Sequence, residues 1–149
     1  MIVVYHRPHS SRRLEDFVRT ATAFDIVDLI VLSKLEGSAV QPGIANIHVE
    51  VYKKNKRLLI VNDLQDAIDL LKPERVITIS RIAEKDIKDM DILKLKDKNV
   101  MIIFFEGLPT KNELNLGDAY YICKEGISVI AEASIFLYIS SRCLQNRSN

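Results

Sequence analysis

Glu106 stands in the most informative stretch of this chain, Val100 to Tyr138. It follows six consecutive apolar residues, Val100 to Phe105, and is followed by Gly107-Leu108-Pro109. A carboxylate and a glycine at the carboxyl end of a buried strand stand where open α/β sheets bind small ligands. Two readings stay open: Glu106 faces a ligand, or it is a solvated turn carboxylate beside a Gly107 that supplies a positive φ. Arg19 lies on the polar side of a helical pattern with Arg12, Glu15 and Asp16. It either pairs with Glu15 one turn away, worth a few tenths of a kcal/mol, or aims a guanidinium at a phosphate or a reacting hydroxyl. His6, His9 and His48 are scattered and read as surface or turn histidines, since nothing near them in sequence is arranged to tune an acid or base. Cys123 and Cys143 belong to no Cys-x-x-Cys or Cys/His cluster, which fits a reducing compartment and offers no metal-ligand spacing. There is no GxSxG elbow, no Walker lysine loop and no GxGxxG after the first strand. Asp28 and Asp63 fall near strand ends, but at opposite ends of their strands, so no carboxylate cluster for a two-metal site emerges.

The elements that must position these residues alternate between short apolar runs and helical patterns. The 149 residues are 48% hydrophobic and 28% charged with a net charge of +1, the composition of one globular domain spanning 1–149. No apolar run approaches the roughly 20 residues that cross a bilayer, and the opening strand-like run is too short for a signal-peptide core, so the expectation is a cytoplasmic protein without membrane contact. Residues 2–6 read as a strand. Residues 9–25 read as a helix, with Leu14, Phe17, Val18, Ala21 and Phe24 on one face and Ser10 or Ser11 as cap. Residues 27–32 form a continuous apolar run of the kind buried on both faces. Turn residues follow at Glu36-Gly37-Ser38 and Pro42-Gly43. Residues 44–55 fit either periodicity; helix is favoured because 58–61 looks like a buried parallel strand, and parallel strands need a crossover. A helix capped by Asn62 or Asp63 ends before Pro73, a strand covers 75–79, and 81–98 reads as a short helix and loop. The strand 100–105, a short strand 119–123 and a helix 127–143 complete the order. This alternation predicts an α/β fold, a mostly parallel sheet flanked by helices.

The last helix carries two apolar faces: Ile127, Ile130, Ala131, Leu137 and Tyr138 on one, and Val129, Ala133, Phe136 and Cys143 on the other, interrupted by Glu132 and Ser134. One face covers the sheet; a symmetric dimer is the simplest partner for the other. Basic residues gather at Arg7, Arg12, Arg13 and Arg19, at Lys53, Lys54, Lys56 and Arg57, and at Arg142 and Arg147. They form either a local basic face or ordinary solvated surfaces.

Three segments, in order, resemble the motifs of the SPOUT (SpoU-like, trefoil-knot) RNA methyltransferases. Arg19-Thr20-Ala21-Thr22-Ala23-Phe24 ahead of the strand Leu29-Ile30-Val31-Leu32 is similar to the first. Phe105-Glu106-Gly107-Leu108 is similar to the second. Tyr121-Ile122, followed by the helix opening at Ser128, is similar to the third. The pattern departs at Arg13, Glu15, Asp25 and Ser128, which stand where the superfamily usually has Asn, Gly, Gly and Asn. The closest likeness is to short archaeal members.

The resemblance implies a Rossmann-like N-terminal part and a C-terminal trefoil knot, a homodimer joined through the C-terminal helix, and S-adenosylmethionine as cofactor. Its site would be the loops at Ser80, at Glu106, Gly107 and Leu108, and at Ile122, Ser128 and Ala131. Arg19 would serve catalysis at a ribose 2′-hydroxyl of tRNA or rRNA. The alternative function is a non-catalytic RNA- or partner-binding module that keeps the knotted fold.

Overall fold

The computed structural model describes residues 1–95 and 99–145. Residues 96–98 of the 81–98 stretch, and Arg147 of the basic tail, lie outside the described residues. Strands Ile2–His6 (β1), Leu29–Ser33 (β2), Arg57–Val61 (β3), Arg75–Ile79 (β4), Lys85–Asp86 (β5), Val100–Phe105 (β6) and Asp118–Tyr121 (β7) form one sheet in the order β3-β2-β1-β6-β4-β7-β5. Every pairing among the described residues is parallel. The helices are Ser11–Thr22 (α1), Pro42–Lys53 (α2), Leu64–Leu71 (α3), Lys111–Leu114 (α4) and Val129–Gln145 (α5). The α/β architecture expected from the alternating pattern is the one observed.

Alternation along the strands divides the core in two. Val3, Tyr5, Ile30, Leu32, Ile77, Ile79, Ile102 and Phe104 face one layer with α1, α2 and α5. Ile2, Val4, Leu29, Val31, Met101, Ile103 and Phe105 face the other with α3. Both faces of β1, β2 and β6 are therefore buried, which is why these strands are unbroken apolar runs. Aromatic rings bind α1 and α5 to the sheet. Tyr5 stacks on Phe17 at 4.4 Å, Phe17 meets Phe104 edge-on, and Phe104 meets Phe136 edge-on, both at 6.0 Å. Such pairs contribute about 0.5–1.5 kcal/mol beyond their buried area.

Several expectations need correction. The strand at 58–61 is parallel but not buried on both faces: β3 is the sheet edge, and Ile60 is 43% exposed. The strand read as 27–32 begins at Leu29, because the Val27 N–H bonds back to Phe24 and the Asp28 N–H bonds to Met1. The favoured helix at 44–55 is present but starts at Pro42, whose fixed φ and missing N–H suit a first helical position. The described part of 81–98 is β5 followed by two short 3₁₀ turns, Ile87–Asp89 and Ile92–Leu95. In α5, Leu137 is buried with Val129, Ala133 and Phe136. Ile135 and Tyr138 are the large apolar residues left exposed. No helix among the described residues is long and apolar enough to cross a membrane.

Candidate functional site

Parallel register brings the carboxyl ends of β1, β2 and β6 level: His6 sits opposite Ser33 on one side and Phe105 on the other. The loops that leave these strands meet along one edge of the sheet. The chain after β6 is tied down there at several points. The Glu106 N–H extends the ladder to the His6 carbonyl at 3.0 Å, and Gly107 then turns with φ +75°. The Tyr5 hydroxyl donates to Glu106 Oε2, and Arg13 donates from Nε to the same oxygen at 3.1 Å and lies 2.9 Å from Oε1 through its terminal nitrogen. Arg7, in a left-handed conformation at φ 62°, donates to the Leu108 carbonyl at 2.8 Å. Thr110 caps α4 in a reciprocal box with Glu113. The Glu113 carboxylate also sits 3.1 Å from His6 Nε2 and 3.6 Å from Arg7.

His6 is thus no surface or turn histidine. It is 1% exposed and joins Ser33 Oγ, 3.0 Å from Nδ1, to Glu113. The reason is its place as the last residue of a fully buried strand. Burial lowers its pKa, opposed by the Glu113 hydrogen bond, and leaves it neutral near pH 7. Burial pushes Glu113 up, but the Thr110 N–H and the Arg7 guanidinium more than offset it and hold the carboxylate low. Burial, reinforced by Glu106, holds the Tyr5 phenol protonated, so Tyr5 acts as a donor.

Two further loops complete the edge. After β4, the Ser80 N–H bonds the Tyr120 carbonyl, fixing a 4% exposed serine beside β7. Before α5, Gly126 turns at φ +84°, and a side chain there would meet Arg81 Cδ at 3.0 Å. Ser128 caps α5: its Oγ accepts from the Ala131 N–H at 3.2 Å, and its carbonyl from the Glu132 N–H at 2.9 Å.

A cavity of about 180 Å³ opens between these loops. Ser80, Glu106, Gly107, Leu108 and Ser128 line it, as do Arg13, Arg81, Gly126 and Glu132. A second, polar cleft lies across the Glu106 to Leu108 loop, against Arg7, His9 and Glu36. Gly107 has no atom within 4 Å of the place a Cβ would occupy, so its backbone is open to a ligand. Glu132 is 6% exposed, and burial alone pushes its carboxyl up to about 7. A cavity walled by open backbone, a few apolar side chains, two arginines and two carboxyls suits a small polar ligand.

Five of the seven residues expected to touch a cofactor therefore line one cavity. Ile122 does not; it packs against the core. Ala131 does not either, since its N–H is spent on the Ser128 cap. Arg19 is also elsewhere. It projects from α1 with its side chain 70% exposed, 4.0 Å from Asp16 rather than paired with Glu15, and lines a small cleft against α2. Glu15 instead accepts from Asn46 at 2.6 Å. The arginines that line the cavity are Arg13, in the first turn of α1, and Arg81, after β4. Sequence spacing missed Arg13, Arg81, Gly126 and Glu132. The visible signal was Glu132, the one acidic residue of an apolar helix. Among the described residues, no three or more His, Cys, Asp or Glu side chains group as a metal site.

The parallel sheet flanked by helices is the fold of solved SpoU-type methyltransferases. An RNA methyltransferase candidate from Bacillus anthracis superposes with a TM-score of 0.79 at 16% identity, covering 98% of this chain and 95% of that one. The SpoU methyltransferase AviRb from Streptomyces viridochromogenes, solved in complex with the cofactor AdoMet, gives 0.76 at 14% identity, covering 100% of this chain and 61% of that one. At these identities the likeness is one of fold. By sequence, the chain belongs to the family described as RecB-family nuclease (DUF2122), whose profile matches residues 37–139. A relative from Methanocaldococcus jannaschii, named as a candidate type II restriction enzyme, is 34% identical over 95% of this chain and 97% of its own length.

Proposed function

We propose that this chain binds S-adenosylmethionine in the cavity between the Glu106 to Leu108 loop and the start of α5, and directs its methyl group to RNA. The observation that carries the reading is the convergence of Ser80, Glu106, Gly107, Leu108 and Ser128, from three separate loops, on one cavity. The fold shared with SpoU methyltransferases supports it. The residues present fit the group: open backbone at Gly107, apolar walls at Ile79 and Val129 for an adenosine, and a carboxyl at Glu132 for a cationic tail. When bound, the cofactor supplies an electrophilic methyl on a sulfonium.

The chain's own residues hold the geometry. Tyr5 and Arg13 clamp Glu106, and Arg7 clamps Leu108, so the loop is ordered before a ligand arrives. Arg13 presents a guanidinium at the cavity rim. Arg19, further along the same helix, is exposed for contact with RNA. In this reading the acceptor is a ribose 2′-hydroxyl of tRNA or rRNA, residues 1–149 form one SPOUT-like domain with a C-terminal trefoil knot, and α5 pairs two protomers.

A second reading is a metal-dependent nuclease, favoured by the description of the family and by the names of its relatives. It needs carboxylates gathered at one point, and the described residues offer no such group. One experiment separates the two. Radiolabelled S-adenosylmethionine is incubated with the protein and unmodified RNA, beside the same RNA and duplex DNA with magnesium or manganese. Transfer of label to RNA, reduced at least tenfold in R13A, is the expected result. Cleavage abolished by a chelator, without label transfer, overturns it in favour of the nuclease.

A further inference from the structure

Glu132 is a buried carboxyl of the cavity wall that has no partner among the described residues. It lines the wall formed by the first turn of α5 and is 6% exposed. Among the described residues, neither a cation nor a hydrogen-bond donor accounts for its carboxyl, and burial is the single influence on its ionisation. Of the other charges that line the cavity, Arg13 and Glu106 are paired with each other and Arg81 is exposed. Arg13, from α1, is held on Glu106 at 2.9 Å. Arg81, after β4, runs along Gly126, with its Nε 3.5 Å from where a Cβ would stand. Glu106, on the facing wall, is a like charge matched by Arg13 and Tyr5. A buried carboxyl without a partner costs stability, and a neutral side chain would fill the same place without that cost.

We propose that Glu132 is a cation-selecting residue: its carboxylate pairs with a positively charged group of the ligand, the sulfonium or the ammonium of S-adenosylmethionine. This inference rests on the cofactor reading above. Both groups are cations of one molecule, and a comparison ligand separates them. The physical sequence is simple. Glu132 is largely protonated in the empty cavity below neutrality, gives up its proton as the ligand enters, and stays ionised against the cation.

Binding is then linked to proton release. With the free carboxyl titrating at about 7 and the bound one fixed as carboxylate, affinity falls about fifteenfold between pH 7 and pH 5.5. Over that interval the ligand's own charges change little, its ammonium losing roughly a tenth of its protons at pH 7. Calorimetric titration of S-adenosylmethionine into the full chain at both pH values, in two buffers of different ionisation heat, reads the affinity and the released proton together. The expected result is the acid-side loss in wild type with release of up to about one proton at pH 5.5, and a flat profile without release in E132Q. S-adenosylhomocysteine lacks the sulfonium. A pH slope kept with it assigns Glu132 to the ammonium, and a slope lost assigns it to the sulfonium; either supports the proposal. Wild-type binding that is flat with pH, or an unchanged slope in E132Q, overturns the proposal and leaves the cofactor reading intact. Absence of binding at every pH by folded wild-type protein overturns the cofactor reading itself.

Discussion

Two carboxyl groups share one cavity and meet opposite environments. Glu106 has Arg13 and Tyr5 upon it; Glu132 has burial alone. The difference has a signature in stability. Glu132 is raised to about 7 when folded, from 4.5 when unfolded, so the native state binds the extra proton between those values. Its stabilising contribution is full below about pH 4.5 and is lost as pH rises to about 7, at a cost of at most about 3 kcal/mol above that. E132Q is therefore expected to stabilise the ligand-free protein at pH 8 and to leave it nearly unchanged at pH 4.5, read as urea midpoints. His6 has the opposite sign. Its folded pKa is lowered from 6.5, so the unfolded chain binds more protons and stability falls as pH drops below about 6.5. Between pH 4.5 and 6.5 the two slopes oppose each other. E132Q should gain stability with rising pH there, and H6Q should lose it; parallel slopes in the two variants would contradict these environments. R13A removes the cation from a carboxylate whose side chain is 14% exposed, and a loss of about 1–2 kcal/mol in urea unfolding is expected.

At the scale of elements, two glycines carry different weights. A Cβ on Gly117, just before β7, would stand 2.3 Å from the Val76 carbonyl oxygen, a backbone atom that cannot swing aside. G117A is expected to cost about 3 kcal/mol or more, or to prevent folding. Gly107 has open space, so G107A bears only the strain of φ +75°, about 1 kcal/mol, and its larger effect should fall on ligand binding. Thermal unfolding beside calorimetry separates the two variants. The elements themselves were legible where one local rule decided them. Strands β4 and β6 end where their apolar runs end, β1 ends one residue further at His6, and α3 starts at its Asp63 cap. The cavity was legible only in part. Glu106 and Gly107 follow a strand and announce themselves. Arg13 reaches Glu106 across 93 residues of sequence, and that meeting depends on the crossing of α1 over the sheet. His6 was misread because strand burial, not its sequence neighbours, sets its environment.

For the whole molecule, the strand order places β6 between β1 and β4, so the first and last thirds of the chain share one edge. Local periodicity carries no information on that order, and no strand order was read from the sequence. The same molecule leaves Ile135 and Tyr138 exposed on α5, at 39% and 56%. On the proposed dimer, Y138R should sediment as a monomer where wild type sediments as a dimer, and a monomeric wild type would contradict the pairing. The cavity at the carboxyl edge of β4 and β6 is proposed to take S-adenosylmethionine. A crystal structure of the protein grown with saturating S-adenosylmethionine tests it most directly. The ligand is expected between Gly107 and Ser128, with a cationic group on the Glu132 carboxylate. A cavity left empty at saturation, or the ligand bound elsewhere, would contradict it.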